Sequence, residues 1–199
     1  TLFRSKFRYY DAKNRLTIIG ETQHKGGGGN LEDIDIENPP QLDNPVGDGM
    51  YVINVYDTLI TAPVNLFGSP PSDFYSAPNF TKGNLTATAY RTRLSENWNF
   101  KYYRYDQRGN VVKMWSYIDG LGWKSSNNYY NSQNQITRNW YQPNLGDGKV
   151  FTFGYDDAGR LISSSIYEGS NPIEPEEEGD NPGAYTNYSS YTYNENSQV

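Results

Sequence analysis

Cysteine is absent from this chain of 199 residues, and histidine occurs once, at His24. The first absence excludes a disulfide scaffold and any zinc site built on thiolates. The second leaves imidazole chemistry a single residue to draw on. Positive charge is also in short supply. Against 23 Asp and Glu stand 17 Lys and Arg, for a formal net charge of −6 and a pI near 4.8. A nucleic-acid binder needs a basic face to neutralise phosphates, so that class is set aside. No apolar run approaches the ~20 residues of a membrane-spanning helix, and apolar residues make up only 35% of the chain.

What is plentiful is tyrosine. Aromatics are 16% of the sequence, with 19 Tyr against 8 Phe. Aromatic rings favour pleated, half-buried surfaces, and tyrosine places a large apolar body with a polar tip. The 19 Gly and 11 Pro, interrupted throughout by Tyr and Trp, are turn material. The composition predicts an all-β protein with much wet surface.

A seven-residue pattern recurs. It reads YDAKNRL from Tyr10, YDQRGNV from Tyr105, YNSQNQI from Tyr130, YDDAGRL from Tyr155 and YNENSQV from Tyr193. The three central copies are spaced by 25 residues (130 − 105 and 155 − 130). The residue after the tyrosine is Asp11, Asp106, Asn131, Asp156 or Asn194. Four after it come Asn14, Gly109, Asn134, Gly159 and Ser197, and six after it Leu16, Val111, Ile136, Leu161 and Val199.

That pattern spells a hairpin. Asp or Asn can bond its own backbone two residues on and start a type I turn. Gly, or Asn as second best, takes the left-handed conformation that completes the loop. The aliphatic residue then starts the returning strand. Rings spaced by two on the incoming side, Tyr103 and Tyr105 or Phe151, Phe153 and Tyr155, share one strand face. Since one hairpin is marginal in water, consecutive hairpins should lie side by side. The expected fold is an extended, curved, shell-like antiparallel sheet.

The organisation follows from the repeat. Residues 1–22 hold one hairpin repeat, 23–49 a flexible loop rich in Gly, Pro and acids, and 50–99 degenerate β units. Residues 100–169 hold well-formed repeats, 170–183 a loop rich in Pro and Glu, and 184–199 an incomplete terminal repeat. Met50–Ile60 reads as a strand, with a partial echo of the motif at Tyr56 and Asp57 that lacks the glycine. The chain begins in an incoming strand and stops at the first returning residue, Val199. Two unpaired edges predict a fragment of a longer polypeptide.

Several side chains invite a chemical reading. His24 lies beside Gly26 to Gly29, and a general base needs an oriented partner and a pocket. A histidine in a glycine-rich loop is expected to be solvated. Asp33, Asp35 and Glu37 alternate like calcium ligands, but counting from Asp33 puts Asn38 and Asn44 where the EF-hand template needs Gly and Glu. A weak calcium site in an acidic loop is the alternative to a solvated loop. Asp48 and Asp147, each followed by Gly, read as hairpin tips. Ser163 to Ser165 lack the GxSxG elbow, and the acids have turns or exposed loops to account for them. No catalytic residue, metal ligand or cofactor is expected, and the chain is read as not an enzyme.

Of the four tryptophans, Trp115 and Trp140 both fall ten residues after their tyrosine. Recurrence in register favours a structural layer. The alternative is stacking on sugar rings by Trp98, Trp123 and Trp140.

YDDAGRL at Tyr155 to Leu161 resembles the RHS/YD-repeat signature Tyr-Asp-x-x-Gly-Arg-Leu at every specified position. YDQRGNV is close to it, and YDAKNRL substitutes Asn for Gly. The resemblance covers residues 100–167 well and 3–20 and 185–199 in part. It implies a spiralling sheet of hairpins that closes, in long members, into a hollow shell around a toxin effector or serves in adhesion. The chain would then be a non-catalytic, secreted or cell-surface bacterial scaffold. Its partners would be neighbouring repeats of the parent chain, or another protein pairing with open strand edges. Two other readings are a self-contained adhesive or carbohydrate-binding module and a substrate captured by secretion machinery.

Overall fold

The structure, a computed structural model, describes residues 2–25, 51–59, 70–75, 79–91, 97–143, 145–168 and 186–193. They form eleven strands: β1 (Leu2–Tyr10), β2 (Leu16–Lys25), β3 (Tyr51–Tyr56), β4 (Leu85–Arg91), β5 (Asn99–Tyr105), β6 (Val111–Ile118), β7 (Gly122–Tyr130), β8 (Ile136–Tyr141), β9 (Lys149–Tyr155), β10 (Leu161–Glu168) and β11 (Thr186–Ser190). All belong to one open antiparallel sheet whose strand order is the sequence order. Among the described residues the only helical element is one 3-10 turn, Ser72–Phe74. The all-β hairpin architecture expected from the repeat is what forms. β2 extends through His24 to Lys25, so the segment read as a loop from residue 23 begins as strand.

The turns are built as their residue types dictate. In the first, the Asp11 N–H donates to the Arg15 carbonyl and the Asn14 N–H to the Asp11 carbonyl, each at 2.9 Å. The Asp11 carboxylate meanwhile accepts the N–H groups of Lys13 and Arg15. Asn131 and Asp156 repeat both backbone bonds with Gln135 and Asn134, and with Arg160 and Gly159. Position four is left-handed every time: φ is 60° at Asn14, 84° at Gly109, 61° at Asn134 and 79° at Gly159. Asparagine tolerates that region because its short amide bonds locally, and glycine because it has no Cβ. The last turn, with Asn194 and Ser197, lies outside the described residues.

A sixth repeat is present, and it is discontinuous. Tyr56 pairs with Leu85 as Tyr10 pairs with Leu16, Tyr130 with Ile136 and Tyr155 with Leu161. The one-residue register shift lies beside the tyrosine at Val55/Tyr56, as it does at Tyr9/Tyr10 and Tyr129/Tyr130. The Asp57 N–H donates to the Asn84 carbonyl at 3.1 Å, and Gly83 takes φ 83°. The turn therefore reads Tyr56-Asp57, then Thr81-Lys82-Gly83-Asn84-Leu85, with residues 58–80 inserted between its first and second positions. The glycine missing from the echo at Tyr56 is Gly83.

The chain divides into two compact units, residues 1–109 with 115–123, and residues 110–114 with 124–199. In the first, directly opposed residues share a face. Ile18, Ile53, Ala89 and Phe100 form one row across β2 to β5, and Val55, Ala87 and Tyr102 another. Phe74, from the 3-10 turn inside the insertion, is 0% exposed in this cluster. Its ring meets Tyr102 at 5.1 Å and stands edge-on to Trp115 at 5.4 Å, while Trp115 Nε1 donates to the Asp73 carboxylate at 3.1 Å. In the second unit Trp140 faces Val150 across β8 and β9, and both are buried.

Candidate functional site: a ladder of tyrosines and turns

The repeat tyrosines share one bond. Tyr56 Oη donates to the Leu16 carbonyl at 3.2 Å, Tyr105 to Leu85 at 2.7 Å and Tyr130 to Val111 at 3.0 Å. Tyr155 donates to Ile136 at 2.9 Å and Tyr193 to Leu161 at 2.7 Å. In each case the acceptor is the aliphatic residue at position six of the preceding repeat. Phenylalanine could fill the same space but could not donate, which accounts for tyrosine at position zero. Asn54 and Asn128, two residues before their tyrosines, donate to the same carbonyls of Leu16 and Val111.

The Tyr105 and Tyr155 phenols are held in the protonated, donating form. Burial, with Tyr103 and Tyr56 nearby, pushes the Tyr105 phenol up to about 12, and burial raises Tyr155 as well. A buried phenolate would lose its hydration without an opposing charge, so the neutral form is favoured.

Position five links neighbouring turns. Arg15 donates to the Asp11 carboxylate at 2.7 Å and grips Asp57 of the next repeat with two nitrogens, at 2.7 and 3.2 Å. Lys13 adds a contact to Asp57 at 2.9 Å. Arg15, then Lys13 and the Gly83 N–H, hold the Asp57 carboxyl well below the usual carboxylate range. Arg15 likewise lowers Asp11. In the second unit, Asn110 Nδ2 donates to Asn134 Oδ1 at 3.1 Å, and Gln135 Nε2 to the Gly159 carbonyl at 2.7 Å. Arg160 binds its own Asp156 at 2.7 Å. The guanidinium also covers the ring of the next tyrosine: Arg15 lies 4.3 Å from the Tyr56 centroid and Arg160 4.8 Å from Tyr193. Stacking plus ion pairing suits the flat guanidinium. The chemistry available here is cohesion from one repeat to the next.

The other sequence candidates are scattered. His24 pairs with Phe3 near the end of β2. Trp140 is 3% exposed and has no ring face to offer a sugar, which corrects the stacking reading for that residue. Trp98 is partly buried beneath the Arg91 guanidinium at 4.6 Å, and Trp123 packs on Tyr117 and Tyr102. Asp147 is ion-paired to Lys124 at 3.0 Å. Ser164 bonds Ser189 across β10 and β11. Asp33, Asp35, Glu37 and Asp48 lie outside the described residues.

Sequence reasoning missed the tyrosine–carbonyl bond, Arg15 and the second half of the split repeat. A signal for the last existed: Lys82-Gly83-Asn84-Leu85 has the form of Arg108-Gly109-Asn110-Val111. The aliphatic acceptors carried no signal of their own, because a carbonyl looks the same at every position.

No protein-family model matches the sequence, and no curated protein matches it. Among solved structures the chain is similar to one titled "Crystal Structure of TcdB2-TccC3-Cdc42", from a Tc toxin component, at 14% identity and a TM-score of 0.32. The match covers 83% of this chain and 9% of that one.

Proposed function

We propose that the chain is a non-catalytic segment of an RHS/YD-repeat β-shell, exported or displayed at a bacterial cell surface, that scaffolds or encloses another domain. The observation that carries this reading is the ladder in which each repeat tyrosine donates to the preceding repeat. Its polar groups are used to join copies of one motif, which makes continuous surface rather than a pocket. The acids that would serve catalysis are engaged too: Asp11, Asp57 and Asp156 accept backbone N–H groups and arginine. The glycan-binding alternative is weakened by the burial of Trp140.

The test is limited proteolysis of the native polypeptide that carries this segment. A shell predicts that the repeats and a neighbouring domain resist cleavage together, and that the neighbour is cut only once urea unfolds the sheet. A neighbour digested freely while the repeats stay intact would overturn enclosure.

A further inference from the structure

The split repeat carries an inference that does not depend on the shell reading. We infer that residues 58–80 are a separable insertion in a repeat turn, dispensable for the register of that turn, and that its residues Asp73 and Phe74 cover the aromatic face of the first unit. Without them the chain would read Tyr56-Asp57-Thr81-Lys82-Gly83-Asn84-Leu85, which satisfies every position of the turn. It also brings Tyr56 and Tyr105, now 49 residues apart (105 − 56), to within one residue of the 25-residue period.

The geometry shows how the turn survives its interruption. Where a continuous repeat has a peptide bond between positions one and two, this one has a hydrogen bond. Thr81 Oγ1 donates to the Asp57 carbonyl at 2.6 Å, and the Gly83 N–H donates to the Asp57 carboxylate at 2.6 Å. Arg15 and Lys13 hold that carboxylate from the preceding repeat. Asp57 itself sits at φ 66°, a left-handed conformation that no other described residue at position one adopts. It turns the chain out of the repeat at the point of exit.

At its far side the insertion is tied to the sheet. The Asn79 side chain donates to the Tyr103 carbonyl at 3.1 Å and accepts the Tyr105 N–H at 2.9 Å. Between exit and return, Asp73 and Phe74 dock on Trp115 and Tyr102. The insertion thus leaves the repeat at an anchored Asp57, rejoins the sheet at an anchored Asn79 and carries a buried aromatic plug at Phe74. Register is set by the turn, while the plug shields the face.

Two variants test this. In the first, residues 58–80 are deleted. Expected are preserved cross-strand nuclear Overhauser contacts between Tyr56 and Leu85, together with increased binding of the dye ANS as Tyr102 and Trp115 lose their cover. A folded variant without those contacts would overturn the inference. In the second, residues 64–67 are replaced by a protease site and cut after folding, which keeps the plug. The two fragments should co-elute in native buffer, and fragments that separate would overturn it even if the deletion fails to fold. Thr81→Ala discriminates further. It should lower the urea midpoint of the intact chain by about 0.5 M and leave the deletion variant unchanged, because a peptide bond there replaces the hydroxyl's work. An equal effect in both would mean that Thr81 does not bridge the interruption.

Discussion

Tyr105 Oη lies 2.7 Å from the Leu85 carbonyl, joining position zero of one repeat to position six of the one before. The bond explains why position zero is tyrosine at every repeat from Tyr56 onward.

Tyr105→Phe should therefore destabilise the chain although it changes little volume. A net hydrogen bond contributes about 1 kcal/mol, and more where the abandoned carbonyl is cut off from water. Urea unfolding of Tyr105→Phe and Tyr130→Phe should show lowered midpoints. Tyr188→Phe, at a ring 78% exposed, should show none.

The turn glycines separate two physical effects. At Gly109, φ is 84° and a new Cβ would meet nothing within 4 Å. Gly109→Ala should then cost only the left-handed backbone penalty, about 1 kcal/mol. At Gly159 a Cβ would also meet Gln135 Nε2 at 3.0 Å, the atom that donates to the Gly159 carbonyl. Gly159→Ala should cost more, and comparison of the two thermal midpoints checks it.

Acid should loosen the Asp11–Arg15–Asp57 cluster. Both carboxyls are lowered in the fold, chiefly by Arg15. Their contribution is therefore fully present above the unfolded value of about 3.9 and is lost as pH falls through the folded values. Urea midpoints should drop below about pH 4, and Asp57→Asn should flatten that drop. Tyrosine has the opposite sign. With Tyr105 raised to about 12, its contribution is present below about pH 10 and is lost as pH rises through 12. Ultraviolet titration should show phenols that ionise only as the sheet unfolds.

Phe74→Ala should strongly destabilise the first unit. The ring is wholly buried against Tyr102 and Trp115, and emptying such a site costs about 3–5 kcal/mol. Tyr75→Ala, next in sequence but 45% exposed, should cost far less.

Local pattern decided much of this protein. The Asp or Asn after each tyrosine, the Gly or Asn three later and the aliphatic residue that follows were enough to predict the hairpins and their antiparallel order. Those constraints act within seven residues, where side-chain capping and the left-handed region govern the backbone directly. The recurrence of Trp115 and Trp140 likewise pointed to burial, because a residue that repeats in register meets the same neighbours each time. Tertiary structure alone decided three things. It chose the carbonyl that each tyrosine reaches, 19 to 40 residues away. It set Arg15 between two aspartates 46 residues apart (57 − 11). It closed a turn between Asp57 and Thr81, with an aromatic plug carried in the gap. Each joins groups brought near only by strand pairing, so no seven-residue window contains it, and spatial proximity supplied what sequence spacing could not.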